Sequence, residues 1–245
     1  NIHLRNIAVD QDLKINEYGV FKADERLLGE TEKEIYKHFG MPYIEPELRK
    51  DTGEIEAALE DSLPELITLD DIRGDLQMHT DSSDGNHSLA EMASAAEEMG
   101  YEYIAITDHT SYIGVTQGLE EDDVDAYNEK IDSFNEDHEG VHVLKGVEAD
   151  IHKDGSLDLP DHSLEKMDVV LGSIHSHFNL GEEEQTERVL RAMDNPHFNI
   201  FAHPTTRRIG EREGINLQME TIMEAALERG CFLEINASPE RLDLW

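Results

Sequence analysis

The chain has 245 residues, 56 of them Asp or Glu against 20 Lys or Arg, for a formal net charge of −36. One Cys excludes an intramolecular disulfide, so nothing here requires an oxidising compartment. No apolar run approaches the ~18–20 residues of a membrane helix, and 38% apolar residues suffice for a core despite the charge.

The carboxylates are spread along the whole chain and not gathered into a tail, which reads as a solvated acidic surface. Acidity of this size is that of salt-accumulating halophiles, in which salt screens the self-repulsion. It excludes a nucleic-acid footprint built from bulk positive charge, though not binding through a metal and a few local arginines. The N-terminal Asn-Ile-His-Leu-Arg has neither an initiator Met nor the apolar core of a signal peptide, as expected of a piece of a longer, cytoplasmic protein. One large domain, or one plus a small one, is expected at this length.

Residues 1–50 read as a small mixed segment. Leu13-Lys14-Ile15-Asn16 and Tyr18-Gly19-Val20-Phe21 are short apolar runs separated by turn chemistry. Thr31-Glu32-Lys33-Glu34 is a capping pattern that opens a helix through about Phe39, which Gly40 and Pro42 end. Residues 51–70 are acidic, with a short helical stretch at 55–59 before Pro64, and read as a connector. From about Ile72 a repeating unit begins. Short apolar runs rich in β-branched residues lie at 75–79, 103–107, 141–147, 168–174, 198–202 and 231–235. Helical patterns lie between most of them, at 88–99, 122–137, 184–193 and 217–229. The first starts with Ser88-x-x-Glu91, and each is followed by Gly or Pro. This alternation predicts an α/β domain of βα units, as an open doubly wound sheet or as a barrel.

The residues that follow each run favour the barrel. They are Met78-His79, Thr107-Asp108-His109, Val147-Glu148, Ile174-His175, Ala202-His203 and Ile235-Asn236. A polar or metal-capable side chain at every strand end is what the C-terminal rim of a barrel displays, with each strand donating one residue. No Gly-x-Gly-x-x-Gly or P-loop string occurs.

A single strand-end His is usually structural. Four of them, His79, His109, His175 and His203, together with Glu148, point instead to a metal site. Imidazole with carboxylate suits Zn, Mn or Fe, and a cluster this large has room for more than one ion. Ions held about 3.5–4 Å apart are the usual device for phosphoester hydrolysis. A serine hydrolase is set aside, since no Gly-x-Ser-x-Gly elbow is present, and Cys231 reads as a core residue. His87, His138, His152 and His162 read as surface residues, and His177 as either a rim or a solvent-facing one.

Gly74-Asp75-Leu76-Gln77-Met78-His79-Thr80, then Ser83-Asp84-Gly85, resembles the opening motif of the polymerase and histidinol phosphatase (PHP) family. Thr107-Asp108-His109, Gly146-Val147-Glu148-Ala149-Asp150-Ile151, Gly172-Ser173-Ile174-His175-Ser176 and Ala202-His203-Pro204-Thr205 resemble its next four motifs, in order. The resemblance implies a distorted (β/α)7 barrel holding two or three divalent ions. It implies His79, Asp84, His109, Glu148, His175 and His203 as ligands, with Asp108 orienting one of them. Gln77 stands where the family often has a ligand His, so one ion position is weakened or Gln77 is no ligand. The family ends on an Asp-x-His motif that the chain does not reach before Trp245, so the resemblance implies a barrel without its last strand.

Leu13–Phe21 and the stretch Gly29-Glu30-Thr31-Glu32-Lys33-Glu34-Ile35-Tyr36 resemble the thumb end of family X DNA polymerases. The implied organisation is a small α+β thumb segment at 1–50, a linker at 51–70 and a PHP phosphoesterase at 71–245. The implied activity is a 3′→5′ exonuclease or 3′-end-processing nuclease of DNA repair, acting as a monomer on DNA 3′ ends, with the polymerase carboxylates outside this chain. A free-standing PHP phosphatase for histidinol phosphate or another small phosphoester is one rival. A metal-poor scaffold for the polymerase is another. Thr205-Thr206-Arg207-Arg208-Ile209-Gly210 follows His203 on a strand-end loop. Arg207 or Arg208 is expected to grip a phosphate of the cut strand, or else merely to offset Glu211 and Glu213.

Overall fold

The computed structural model describes residues 2–111 and 118–244, which fall into two compact units dividing between Thr68 and Leu69. In the first, α1 (Ile2–Asp10) precedes the antiparallel sheet β1 (Lys14–Asn16), β2 (Gly19–Lys22) and β3 (Glu25–Leu28). The turn between β1 and β2 is closed by Asn16, whose side chain accepts from the Tyr18 N–H at 2.9 Å. Helix α2 (Glu32–His38) begins at the expected cap, with Thr31 Oγ1 accepting from the Glu34 N–H at 3.3 Å. The residues from 51 on differ from the expected connector. Ile55 and Ala58 of α3 (Glu54–Leu59) are buried in one cluster with Leu4, Tyr36, Met41 and Ile44. Their apolar spacing gives α3 a face that water would otherwise wet, so the segment joins this core.

The second unit is an α/β half-barrel. Strands β4 (Gly74–Met78), β5 (Tyr103–Ile106), β6 (His142–Asp150), β7 (Val169–Ser173), β8 (Ile200–Phe201) and β9 (Phe232–Leu233) lie side by side in chain order, all parallel. Between them run α4 (Leu89–Glu98), α5 (Val124–Asp137), the short α6 (Asp161–Leu164), α7 (Glu182–Met193) and α8 (Met219–Arg229). A doubly wound sheet would reverse its strand order at a switch point. This order never reverses, so the winding is that of a barrel. Among the described residues no helix is long and apolar enough to cross a membrane.

Ser88 caps α4 in a full capping box with Glu91, as its sequence pattern predicts. Two apolar clusters hold the helices to the sheet. One joins Ile104, Val143, Val147 and Val170 of the strands to Leu89, Val124 and Ile131 of α4 and α5. The other packs Val189, Met193 and Ile222 of α7 and α8 against Ile151, Ile174 and Phe201. Contact here is close: a Cβ on Gly172 would lie 2.0 Å from the Phe198 ring. All six expected strands form, but β6 runs past its expected end. It pairs with β5 through Lys145 and with β7 from Gly146 to Asp150, so changing partner keeps it extended. Glu148 therefore sits inside a strand and not after one.

Candidate metal centre

Parallel strands put all their C-terminal ends at one rim, and the expected ligands gather there. His79 follows β4, His109 follows β5, His175 follows β7 and His203 follows β8, around Glu148 on β6. Glu148 is buried at 1% exposure and sits at the middle of the group. Its Oε1 accepts from Ser173 Oγ at 2.5 Å and lies 2.9 Å from His203 Nε2 and 3.4 Å from His175 Nε2. Its Oε2 lies 3.2 Å from His79 Nε2 and 3.5 Å from His109 Nδ1. The His79 and His109 rings stack, with centroids 4.4 Å apart.

Asp84 completes the group from the loop after His79. Its oxygens lie 3.8 Å from His79 Nδ1 and 3.7 Å from His109 Nε2. That loop is tied down by Asp108, which is wholly buried. Asp108 accepts from the Thr80 N–H at 2.7 Å, Thr80 Oγ1 at 2.7 Å and Ser83 Oγ at 2.6 Å. Gly85 allows the tight return, since a Cβ there would lie 2.4 Å from the His79 carbonyl oxygen.

These residues fit divalent ions. Ligand atoms bound at about 2.1 Å to a tetrahedral ion stand about 3.4 Å apart, and most spacings here are of that size rather than hydrogen-bond lengths. Two trios, His79/Asp84/His109 and His109/Glu148/His175, each have their ligand atoms within 4.8 Å of one another and share His109. The Nδ1 atoms of His79, His109 and His203 are buried without a hydrogen-bond partner, a costly state that a bound ion relieves for those that ligate it.

Charge at the site is tightly coupled. Burial works to raise the Glu148 pKa, but hydrogen bonds from His175, His203 and His79 hold the carboxyl well below the usual range. Burial likewise works against a charged His175, yet Asp150 and Glu148 together bring its pKa up to about 9. Burial lowers the His109 pKa, and Glu148 only partly offsets it. Four imidazoles around one carboxylate draw in positive charge, and a divalent ion supplies it in place of protons.

Asp150 and Glu234 escaped the sequence reading. Asp150 is 1% exposed, and its Oδ1 lies 3.2 Å from His175 Nδ1, which turns His175 Nε2 toward Glu148. Its i+2 spacing from Glu148 on a strand was the available signal. Glu234 follows β9 and accepts from the His203 N–H at 2.5 Å, while Asn236 donates to its other oxygen at 3.0 Å. Gln77 lines the cavity over the site, and its Oε1 is buried without a hydrogen-bond partner.

Arg207 and Arg208 part company. Arg208 is on the wall of this cavity, of about 640 Å³, in ion pairs with Glu211 at 3.3 Å and Glu240 at 3.1 Å. Arg207 is not on that wall. Its Nε donates to the Arg241 carbonyl at 2.6 Å and its Nη2 to that of Leu242, because the two loops lie side by side. Arg212 and Arg241 line the cavity as well. His177 is exposed and off the wall. His87, His138, His152 and His162 join neither trio; His138 pairs with Glu97 at 2.8 Å and His162 with Glu121 at 3.0 Å.

Residues 1–50 match the DNA polymerase beta thumb and residues 75–238 match the PHP domain. The whole chain is 44% identical to part of the DNA polymerase/3′-5′ exonuclease PolX of Bacillus subtilis, of which it spans 43%. It is also 33% identical over 170 residues to a probable phosphatase of Caldanaerobacter subterraneus, and 34% identical over 166 residues to one of Acetivibrio thermocellus. Those alignments take in 66% of this chain and 62% and 64% of the two phosphatases. The chain thus spans under half of the first relative and under two thirds of the others. With the expected metal-site residues in order at the strand ends and a match over residues 75–238, the chain belongs to the PHP-domain family.

Proposed function

We propose that the chain is a metal-dependent phosphoester hydrolase that shortens or trims DNA 3′ ends, as part of a family X DNA polymerase working in repair. The observation that carries the hydrolase reading is the pair of adjacent ligand trios sharing His109 around the buried Glu148. The DNA substrate is supported by the PolX similarity over the full chain and by the thumb match at residues 1–50.

His79, Asp84, His109, Glu148, His175 and His203 would hold two or three divalent ions, Mn, Zn or Fe. Such ions supply Lewis-acid charge to phosphoryl oxygens and make water a stronger nucleophile at neutral pH. Glu148 sets the ligands' spacing by meeting all four imidazoles, and its ionised state would suit it to bind a cation. Asp150 holds the His175 proton on Nδ1, keeping Nε2 free to ligate. Asp108 positions the loop that carries Asp84. The Gln77 carbonyl is the weakest donor of the set and completes a coordination shell only beside stronger ligands. Of the two arginines expected to hold the strand, Arg208 is the one on the cavity wall. The scattered acidity supports a salt-rich cytoplasm as the working environment, and we take the chain to act as a monomer.

A second reading, hydrolysis of a small phosphoester, is supported by the similarity to probable phosphatases over the PHP part. The metal assignment is tested by elemental analysis of Glu148→Gln and His203→Ala. Both should lose bound metal and hydrolysis together. Unchanged metal content in the two variants overturns the assignment.

A further inference from the structure

With 56 carboxylates in the chain against 20 Lys and Arg, a basic side chain has no shortage of partners. Arg208 follows that rule, with Glu211 and Glu240 beside it. Arg212 and Arg241, on the same cavity wall, do not: among the described residues neither guanidinium is within ion-pair distance of a carboxylate. Arg212 sits over Phe178, its Cζ 4.1 Å from the ring centroid, with Nε and Nη2 spent on the Thr206 carbonyl at 3.0 and 2.6 Å. Arg241 has its Nη1 buried with no hydrogen-bond partner. Burial, then the nearby Arg241 and Arg208, pull the Arg212 pKa below its ordinary value, and Glu211 offsets this only in part, so these cations repel one another.

The two loops that carry these arginines are held together by hydrogen bonds. Segment 205–212 is braced against 238–243 by the Ile209 N–H on the Glu240 carbonyl at 2.6 Å, by Thr205 Oγ1 on Asp243 and by the two Arg207 bonds. Arg207 is thus a positioning residue for the loop that carries Arg241. Two guanidinium groups on one cavity wall, near enough to repel each other and neither in an ion pair among the described residues, form a site for an anion. With Arg212 Nε and Nη2 turned to Thr206, Arg212 Nη1 and the planar Arg241 fork are the donors left for phosphate oxygens. Neither segment contributes any of the proposed metal ligands after His203. The phosphoryl group that reacts belongs at the ions, so the anion held here is its neighbour.

We propose that Arg212 and Arg241 seat a second, non-reacting phosphate, which suits the cavity to chains with a phosphate next to the bond being cut and not to lone phosphomonoesters. This rests on the hydrolase reading and gives it a substrate class. The test is calorimetric binding of two slowly hydrolysed probes to the manganese-loaded chain: thymidine 3′-phosphorothioate with and without a 5′-phosphate. A charge-assisted phosphate contact of ordinary strength makes the 5′-phosphorylated probe bind about tenfold tighter or more. In Arg212→Gln and in Arg241→Gln that ratio should fall to about threefold or less. Arg241 makes no side-chain hydrogen bond among the described residues, so its variant tests the idea even if Arg212→Gln folds poorly. A wild-type ratio near one, or a ratio unchanged in the variants, overturns the seat. Cleavage of a DNA 3′ end is followed on the same samples. Cleavage without the binding preference overturns the seat alone, and the preference without cleavage overturns the exonuclease reading alone.

Discussion

Replacing Asp108 by Ala tests whether that residue works through the loop and not as a ligand. Asp108 accepts three hydrogen bonds, from the Thr80 N–H, Thr80 Oγ1 and Ser83 Oγ, and all three end on the segment between His79 and Asp84. The two hydroxyls can turn to other acceptors. The Thr80 N–H cannot, because Thr80 is 1% exposed. An unsatisfied buried donor costs about 1–3 kcal/mol and a lost charge-assisted bond about 1.5–3 kcal/mol, so the change should cost about 2.5–6 kcal/mol. At about 2–4 °C per kcal/mol for a domain of this size, the melting temperature should fall by about 5–24 °C. Asp84 should then lose its fixed position beside His79 and His109, while Glu148, His175 and His203 keep theirs. Thermal unfolding combined with elemental analysis should show a lower melting temperature and a partial loss of metal. A variant with wild-type stability and full metal content would refute the reasoning. Complete metal loss in a still-folded variant would instead make Asp108 a ligand.

Asp158 carries a pH-dependent prediction: burial, with Asp150 nearby, raises its pKa from 3.8 to about 6. The folded chain therefore binds the extra proton between about pH 4 and 6, and that contribution to stability is lost as pH rises through 6. Asp158→Asn keeps the carbonyl that accepts from the Asp150 N–H at 2.9 Å. It should stabilise by about 1–3 kcal/mol at pH 7.5 and by little at pH 4. A urea midpoint shift equal at both pH values would contradict this. With −36 on the chain, the melting temperature should climb between ~0.1 M and ~1 M salt, as the Debye length falls from ~10 Å to ~3 Å. A flat profile removes the halophile reading.

Much of the barrel was legible because its signals are local. Runs such as Tyr103–Ile106 and Val169–Ser173 are β-branched, buried and bounded by turn residues, and parallel winding brings their ends to one rim. The strand-end candidates His79, His109, Glu148, His175 and His203 follow from that geometry, whereas Asp84 came only from the family resemblance. Elements without a local signal were missed. Helix α1 buries only Leu4 and Ala8, and β3 shows no inside-outside alternation. The reach of β6 to Asp150 depends on its change of partner from β5 to β7, which no feature of its own residues announces. The same limit explains the arginines. Whether Arg207 or Arg212 faces the cavity depends on residues 238–243 lying beside 205–212, a contact between segments some thirty residues apart in the chain.

The measurement that bears most directly on the central claim is the product pattern from a single-stranded oligonucleotide incubated with the chain and manganese. One sample carries a 5′ label and the other a 3′ label. A metal-dependent 3′→5′ exonuclease should release labelled mononucleotide from the 3′-labelled strand at once. It should shorten the 5′-labelled strand one nucleotide at a time. Chelator or Glu148→Gln should abolish both. No shortening by the metal-loaded chain, or shortening that survives Glu148→Gln, would contradict the account.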